Sequence, residues 1–199
     1  MIPGKLTVLL SDMISAHQCR GMLSRLTLLL CLLSFPLMSV PAEVNQVVRT
    51  TARKLLDEVE QNGARNTVQR LYEDRPVWIK LIENIASGQR EWIDLALSLK
   101  AGSGGEASID LRDAMFRALA RNPSYVLRHA QPAYPLATLC LGRAAPLPTY
   151  KQAIAELAAV KRALDKVEAD ELRYKKELCL AELREGRAQL RRSFGLSSE

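Results

Sequence analysis

RPVWIKLIENIASGQREWIDLALSLK, residues 75–100, is the stretch that decides the fold. Pro76 stands where a first-turn residue has no intrahelical use for its N–H, so its missing donor costs nothing. Val77, Trp78, Leu81, Ile82 and Ile85 follow at helical spacing, and Ser87-Gly88 ends the run. Trp92, Ile93, Leu95, Ala96 and Leu99 then restart it, so that Trp78-Ile79-Lys80-Leu81 is echoed by Trp92-Ile93-Asp94-Leu95. Two short helices joined by Ser87-Gly88-Gln89 are predicted to pack antiparallel, with Trp78 and Trp92 in a shared core.

The same periodicity extends outward in both directions. Upstream, Val44, Val47, Val48, Leu55, Leu56 and Val59 recur at helical spacing until Asn62-Gly63, and Val68, Leu71 and Tyr72 mark a further helix over 66–74. Downstream, Gly102-Ser103-Gly104-Gly105 breaks the pattern, and Ser108 is expected to cap a helix whose stripe is Leu111, Ala114, Met115, Ala118 and Leu119. Leu111 and Met115 are therefore core candidates. Asn122-Pro123 repeats the cap-plus-Pro start. Residues 131–148 hold Pro132, Pro135, Pro146 and Pro148 and read as a largely irregular connection, with one short turn near 136–141.

Composition agrees with an all-α reading. The protein has 199 residues, 48% of them hydrophobic, with only 5% aromatic. That is too apolar for disorder and too poor in aromatics for a β-sandwich. The N-terminal part reads differently from the rest. Arg25 precedes the apolar run Leu26–Leu33, Pro36 follows, and Val40-Pro41-Ala42 offers small residues for signal peptidase. Residues 22–42 are expected to be a signal peptide cleaved between Ala42 and Glu43, and 1–21 an over-extended start. The apolar stretch is shorter than the roughly 20 residues of a spanning helix. Membrane attachment would arise only through this segment, were it uncleaved. The remaining 157 residues carry 25 basic and 21 acidic side chains and suit one domain, 43–199.

Cys140 and Cys179 are the cysteines left in that domain, and an even pair in an exported protein reads as one disulfide. Two separate buried thiols are the alternative. The bridge bears on the last fifty residues. Ala153, Ile154, Leu157, Val160, Leu164 and Val167 form one helical stripe, and Leu172, Cys179, Leu183 and Leu190 another, with no Gly or Pro between. A straight helix would carry Cys179 about 45 Å from Thr149. The segment from Cys140 to Thr149 spans at most roughly 30 Å. A disulfide thus requires a helical hairpin over 149–192, turning near 168–170 with Asp170 as the new N-cap.

Trp78, Ile85-Ala86-Ser87-Gly88, Glu91-Trp92, Leu111, Ala114, Arg117-Ala118-Leu119 and Asn122-Pro123, followed by Cys140 and Cys179-Leu180-Ala181-Glu182-Leu183, resemble a group of small exported α-helical proteins of Gram-negative bacteria. The resemblance covers most of residues 64–185 and rests on caps, core Trp residues and two Cys. It implies a periplasmic or secreted location. No catalytic residue transfers with it. The successive helix pairs are also loosely similar to HEAT-type repeats, so the fold class is all-α, either a HEAT-like array or an irregular bundle, followed by the C-terminal hairpin.

Chemistry-bearing motifs are sparse. His129 is the one histidine after residue 42, and it falls near a helix C-terminus, where a capping or surface role suits a cation. The 102–105 glycines precede no Lys-Ser or Lys-Thr and follow no strand, so they are no phosphate loop. Glu58, Glu60, Glu73, Asp74, Asp110 and Asp113 could serve glycosidic cleavage; Glu73 and Glu91, nearest the aromatics, are the first to consider. Arg184, Arg187, Arg191 and Arg192 form a basic stripe, yet Glu177, Glu182 and Glu185 interleave with it, which argues against nucleic acid. No catalytic, metal or cofactor set emerges. The expectation is a non-enzymatic protein-binding or scaffolding module of the cell envelope, using a groove between helix pairs. A peptidoglycan-acting hydrolase of lysozyme-like type and a toxin-neutralising immunity or inhibitor protein are the alternatives.

Overall fold

Several helix boundaries have a local chemical cause. The computed structural model describes residues 42–143 and 149–196, with side chains from residue 51 onward. The expected signal segment, the 1–21 extension and Pro146 and Pro148 of the connection lie outside the described residues. Ala42 and Glu43, the expected cleavage pair, fall in the first turn of α1, Ala42–Asn62. Gly63 ends that helix at a left-handed φ of 78°, accessible to glycine without a Cβ penalty. Helix α2, Ala64–Glu73, follows directly. Asp74 then accepts from the Val77 N–H (3.3 Å) and caps α3, Arg75–Ala86, with Pro76 in its first turn. Helix α4 spans Arg90–Lys100 and α5 spans Gly105–Leu119. Asn122 caps α6, Pro123–His129, by accepting from the Tyr125 N–H. Helix α7 is the short Leu136–Leu139 turn. Thr149 caps α8, Tyr150–Asp165, and α9 runs Arg173–Ser193 after a single 3-10 turn, Asp170–Leu172.

The fold is all-α. Its N-terminal helices are arranged differently from a simple run of sequential hairpins. Helix α3 packs most extensively against α5, and α1 against α4. Near the start of α3 the Trp78 indole donates to Asp110 of α5 (2.8 Å). Just past its end, Gly88 lies against Ala118, Arg121 and Asn122, and Asn122 Nδ2 donates to the Gly88 carbonyl (3.0 Å). Like ends meet, so α3 and α5 run parallel, and α4 returns the polypeptide between them. Gly88 permits this. Its φ is +77°, and a Cβ there would stand 2.6 Å from that of Arg121. Trp78 and Trp92 are both buried in one core with Leu111 and Met115. The two indoles differ, however: Trp92 Nε1 has no acceptor among the described residues.

Two local expectations, on Ser108 and Asp170, need correction, and the glycine loop between α4 and α5 is closely packed. Ser108 does not cap α5, which begins earlier at Gly105; its hydroxyl instead accepts from the Lys100 ammonium (2.5 Å). The 102–105 loop is no slack connection, because a Cβ on Gly102 would lie 2.2–2.5 Å from the Ala64–Arg65 backbone. Asp170 is not an N-cap. Its carboxylate pairs with Arg173, and the turn comes before it, over 166–169. The turn needs neither Gly nor Pro because Lys176 of α9 donates to the carbonyls of Val167 (2.9 Å) and Asp165 (3.4 Å), which the end of α8 leaves without helical partners.

Cys140, at the end of α7, is disulfide-bonded to Cys179 of α9, with Cα atoms 5.1 Å apart. Both are fully buried. Helices α8 and α9 form the C-terminal hairpin, and α8 also packs on α5. Among the described residues no helix is long and apolar enough to cross a membrane.

Candidate functional site

Helix α5 places acidic and basic groups along one side of an otherwise apolar element. Asp113 and Arg117 are four residues apart and stand one above the other on successive turns, and Arg121 follows in the turn just past the end of the helix. Asp113 is buried, its carboxylate accepting from Arg143 Nε at 3.3 Å and paired with Arg112 at 3.6 Å. Arg143 also reaches Glu156 of α8 at 3.5 Å, so one guanidinium links α5 to α8. This network meets the rule that a buried charge needs a partner.

Beyond the network, α3, α5 and α8 enclose a cleft of about 640 Å³. That size falls within the range of ligand-binding clefts. Its apolar lining comes from Ala86, Phe116, Ala120, Ala159 and Val160; its charged groups are Glu83, Arg117, Arg121 and Glu156. Two of these carry unmatched atoms. Arg117 Nε is shielded from solvent and has no acceptor among the described residues. Glu156 Oε2 is likewise shielded and has no donor among the described residues, although its other oxygen meets Arg143. Leaving such a donor or acceptor unmade costs about 1–3 kcal/mol each.

The residues singled out from the sequence are dispersed and mostly engaged elsewhere. Glu58 forms a two-pronged pair with Arg70 (2.6 and 2.7 Å). Asp110 holds the Trp78 indole and Asp74 caps α3. Glu73 is exposed and accepts from Gln69, one turn before it (3.0 Å). Glu91 stands half-buried in the first turn of α4. Glu73, Glu91, Asp110 and Asp113 are absent from the lining of the α3–α5–α8 cleft and from that of a second cleft bounded by Arg65, Val68, Tyr72 and Glu106. Arg192 pairs with Glu185 (3.0 Å) on the last helix, while Arg184 and Arg187 are exposed beside it.

His129 is exposed and its ring lies 4.3 Å from that of Tyr125. Tyr125 Oη donates to Asp94 (2.8 and 3.0 Å), and Arg90 sits 5.4 Å from the Tyr125 ring centroid. Burial and the Asp94 carboxylate push the Tyr125 hydroxyl up to about 12. The neutral phenol is thereby held as a donor that ties α6 to α4. Among the described residues no three His, Cys, Asp or Glu side chains are grouped to hold a metal ion.

Glu156 was not among the residues marked out by sequence motifs, and Arg117 was quoted only within the Arg117-Ala118-Leu119 resemblance, not as a site residue. The one available signal was the Asp113-Arg117-Arg121 spacing, charges at four-residue intervals beside the stripe Leu111, Ala114, Met115 and Ala118. Their convergence with α8 requires the tertiary fold. Compared with known protein families, curated proteins and solved structures, the protein matches none.

Proposed function

We propose that this protein acts outside the cytoplasm, in the periplasm of a Gram-negative cell, as a non-enzymatic helical module that binds another envelope protein through the α3–α5–α8 cleft. One observation carries the reading. The cleft combines an apolar lining of Ala86, Phe116, Ala120, Ala159 and Val160 with the charged Glu83, Arg117, Arg121 and Glu156, the mixture by which a protein surface holds a partner. The Cys140–Cys179 bridge supports an oxidising location, since disulfides persist there and are rare in cytosolic proteins.

Site-specific photo-cross-linking in living cells tests the proposal. A photoreactive residue at Ala159, in the cleft, is expected to trap a discrete protein partner. The same residue at Arg187, on the exposed side of α9, is expected to trap none. Equal labelling from both positions, or none from Ala159, rejects the reading. Fractionation with N-terminal sequencing checks the location, the expected first residue being Glu43.

A further inference from the structure

We infer that the open end of the α8–α9 hairpin rests on an anionic phospholipid surface, with Phe194 and Leu196 entering the headgroup layer and Arg184 and Arg187 meeting lipid phosphates. The inference goes beyond the cleft and does not depend on what occupies it. It adds a route to the membrane separate from the apolar N-terminal segment.

The apolar tip is an ordered feature of the fold. Helix α9 ends in a complete Schellman motif: the Gly195 N–H donates to the Arg192 carbonyl (3.0 Å) and the Leu196 N–H to that of Arg191 (3.0 Å), with Gly195 at φ +66°. Such a closure commonly packs the residue after the glycine against the last turn. Leu196 nonetheless stays 42% exposed and Phe194 41% exposed. The Phe194 ring meets that of Tyr150 edge-on at 5.7 Å, which brings the start of α8 to the same end. A scattered exposed hydrophobe is ordinary, whereas two at one capped helix end beside a row of cations have the composition of an interfacial anchor.

The fold does not account for those cations. Arg191 and Arg192 lie in the last turn of α9, where the negative helix end favours them, but that field falls off within a turn. Arg184 and Arg187 stand earlier, are exposed, and form no ion pair among the described residues. With Arg191 they share one side of the helix at three- and four-residue spacing, an arrangement of like charges that disfavours the helix. Lys151 is exposed in the first turn of α8, where the positive helix end opposes a cation. From 184 to 196 four arginines stand against one carboxylate, Glu185, which Arg192 already engages at 3.0 Å. Glu177 and Glu182 belong to earlier turns. A nucleic acid would satisfy the arginines and leave Phe194 and Leu196 in water. Two apolar side chains are also too few for the core of a stable protein interface. An anionic bilayer offers phosphate oxygens with acyl chains beneath them, and long arginine stems let the guanidinium groups stay at the phosphates while the apolar groups go deeper.

Vesicle co-sedimentation of the oxidised protein, as isolated from cells, tests the inference. Vesicles of phosphatidylglycerol mixed with phosphatidylcholine are expected to bind it about tenfold or more tightly than vesicles of phosphatidylcholine alone, and less tightly as salt is raised. Arg184→Gln/Arg187→Gln is expected to lower that affinity about tenfold or more. Phe194→Ser/Leu196→Ser is expected to lower it too, and to remove the binding that survives high salt. Arg53→Gln/Lys54→Gln takes two exposed charges from α1 and is expected to bind as wild type does. All these side chains are exposed, so melting temperatures are expected to stay unchanged. The inference is overturned if the two kinds of vesicle bind alike, if the α1 variant loses as much affinity as the Arg184/Arg187 variant, or if Phe194→Ser/Leu196→Ser binds as wild type does. It is equally overturned if heparin binds the protein and the vesicles do not, which would assign the arginines to a soluble polyanion. A protein trapped at Ala159 without any vesicle binding would remove this inference while leaving the binding-module reading in place.

Discussion

Gly186 of α9 lies against the backbone carbonyl of Leu141: a Cβ on Gly186 would stand 1.9 Å from the Leu141 oxygen and 2.8 Å from its carbon. Leu141 directly follows Cys140, and Gly186 lies about two turns beyond Cys179 on the same helix. The covalent bridge and the close backbone approach thus belong to one seam. Helix α9 can press onto the segment that follows α7 only where its side group is a hydrogen atom.

Gly186→Ala is accordingly expected to destabilise the protein by about 1–3 kcal/mol, since the obstructing group is backbone and cannot rotate away. Helix propensity alone favours Ala here by about 1 kcal/mol, so the sign of the change is diagnostic. Urea unfolding followed by circular dichroism measures it. Arg187→Ala, next in sequence but exposed, is the control and should stay within about 0.5 kcal/mol.

Loss of the bridge has a calculable consequence. Cys140 and Cys179 are 39 residues apart. In the chain-entropy account a loop of that size contributes about 4 kcal/mol. Unfolding in the presence of dithiothreitol, or of a Cys140→Ser/Cys179→Ser double variant, is expected to shift by that order. An unchanged midpoint would show that the two sulfurs are not bonded in the isolated protein.

The two buried tryptophans are expected to respond unequally. Asp110→Ala leaves the Trp78 N–H, now bonded at 2.8 Å, without its acceptor, and should cost about 1–3 kcal/mol. Asp110→Asn retains an oxygen acceptor and should recover part of that loss. Trp92→Phe breaks no hydrogen bond within the described residues, so its cost reflects packing alone and should be smaller than that of Trp78→Phe. Thermal melts of the four variants rank these effects.

Tyr125 sets an alkaline limit. Its folded hydroxyl is pushed up to about 12 by burial and by Asp94, against about 10 for an unfolded tyrosine. The folded state therefore holds the proton more tightly. The stability this confers is present in full below pH 10 and is lost as pH rises through 10 to 12. Wild-type stability is expected to fall across that window, and the gap between wild type and Tyr125→Phe is expected to narrow with it. A gap independent of pH would contradict the assignment.

Much of the fold is legible because its signals are local. Asp74 before Pro76, Asn122 before Pro123, Thr149 before Tyr150 and Gly63 after Asn62 satisfy or terminate helix ends using neighbours only a few residues away. The stripe Leu111–Met115 and the Trp78/Trp92 repeat report burial in the same local way. Asp170 resembles such a signal and misleads, because Arg173 engages its carboxylate and the turn is closed instead by Lys176. Lys176 lies 11 residues beyond Asp165, too far for a capping pattern to reveal.

By itself, then, the sequence determined an all-α protein, most of its helix starts and stops, its core tryptophans and the pairing of its two late cysteines. Helix periodicity, capping and residue count require no knowledge of distant neighbours. Only the tertiary structure decided that α3 runs parallel to α5, that Gly88, Gly102 and Gly186 are positions of close backbone approach, and that Arg117 and Glu156 face a common cleft. Those relationships join residues 30 or more positions apart, as Gly88 and Ala118 are. Their energies depend on which surfaces meet, and that is settled when the whole core closes rather than when any one helix forms.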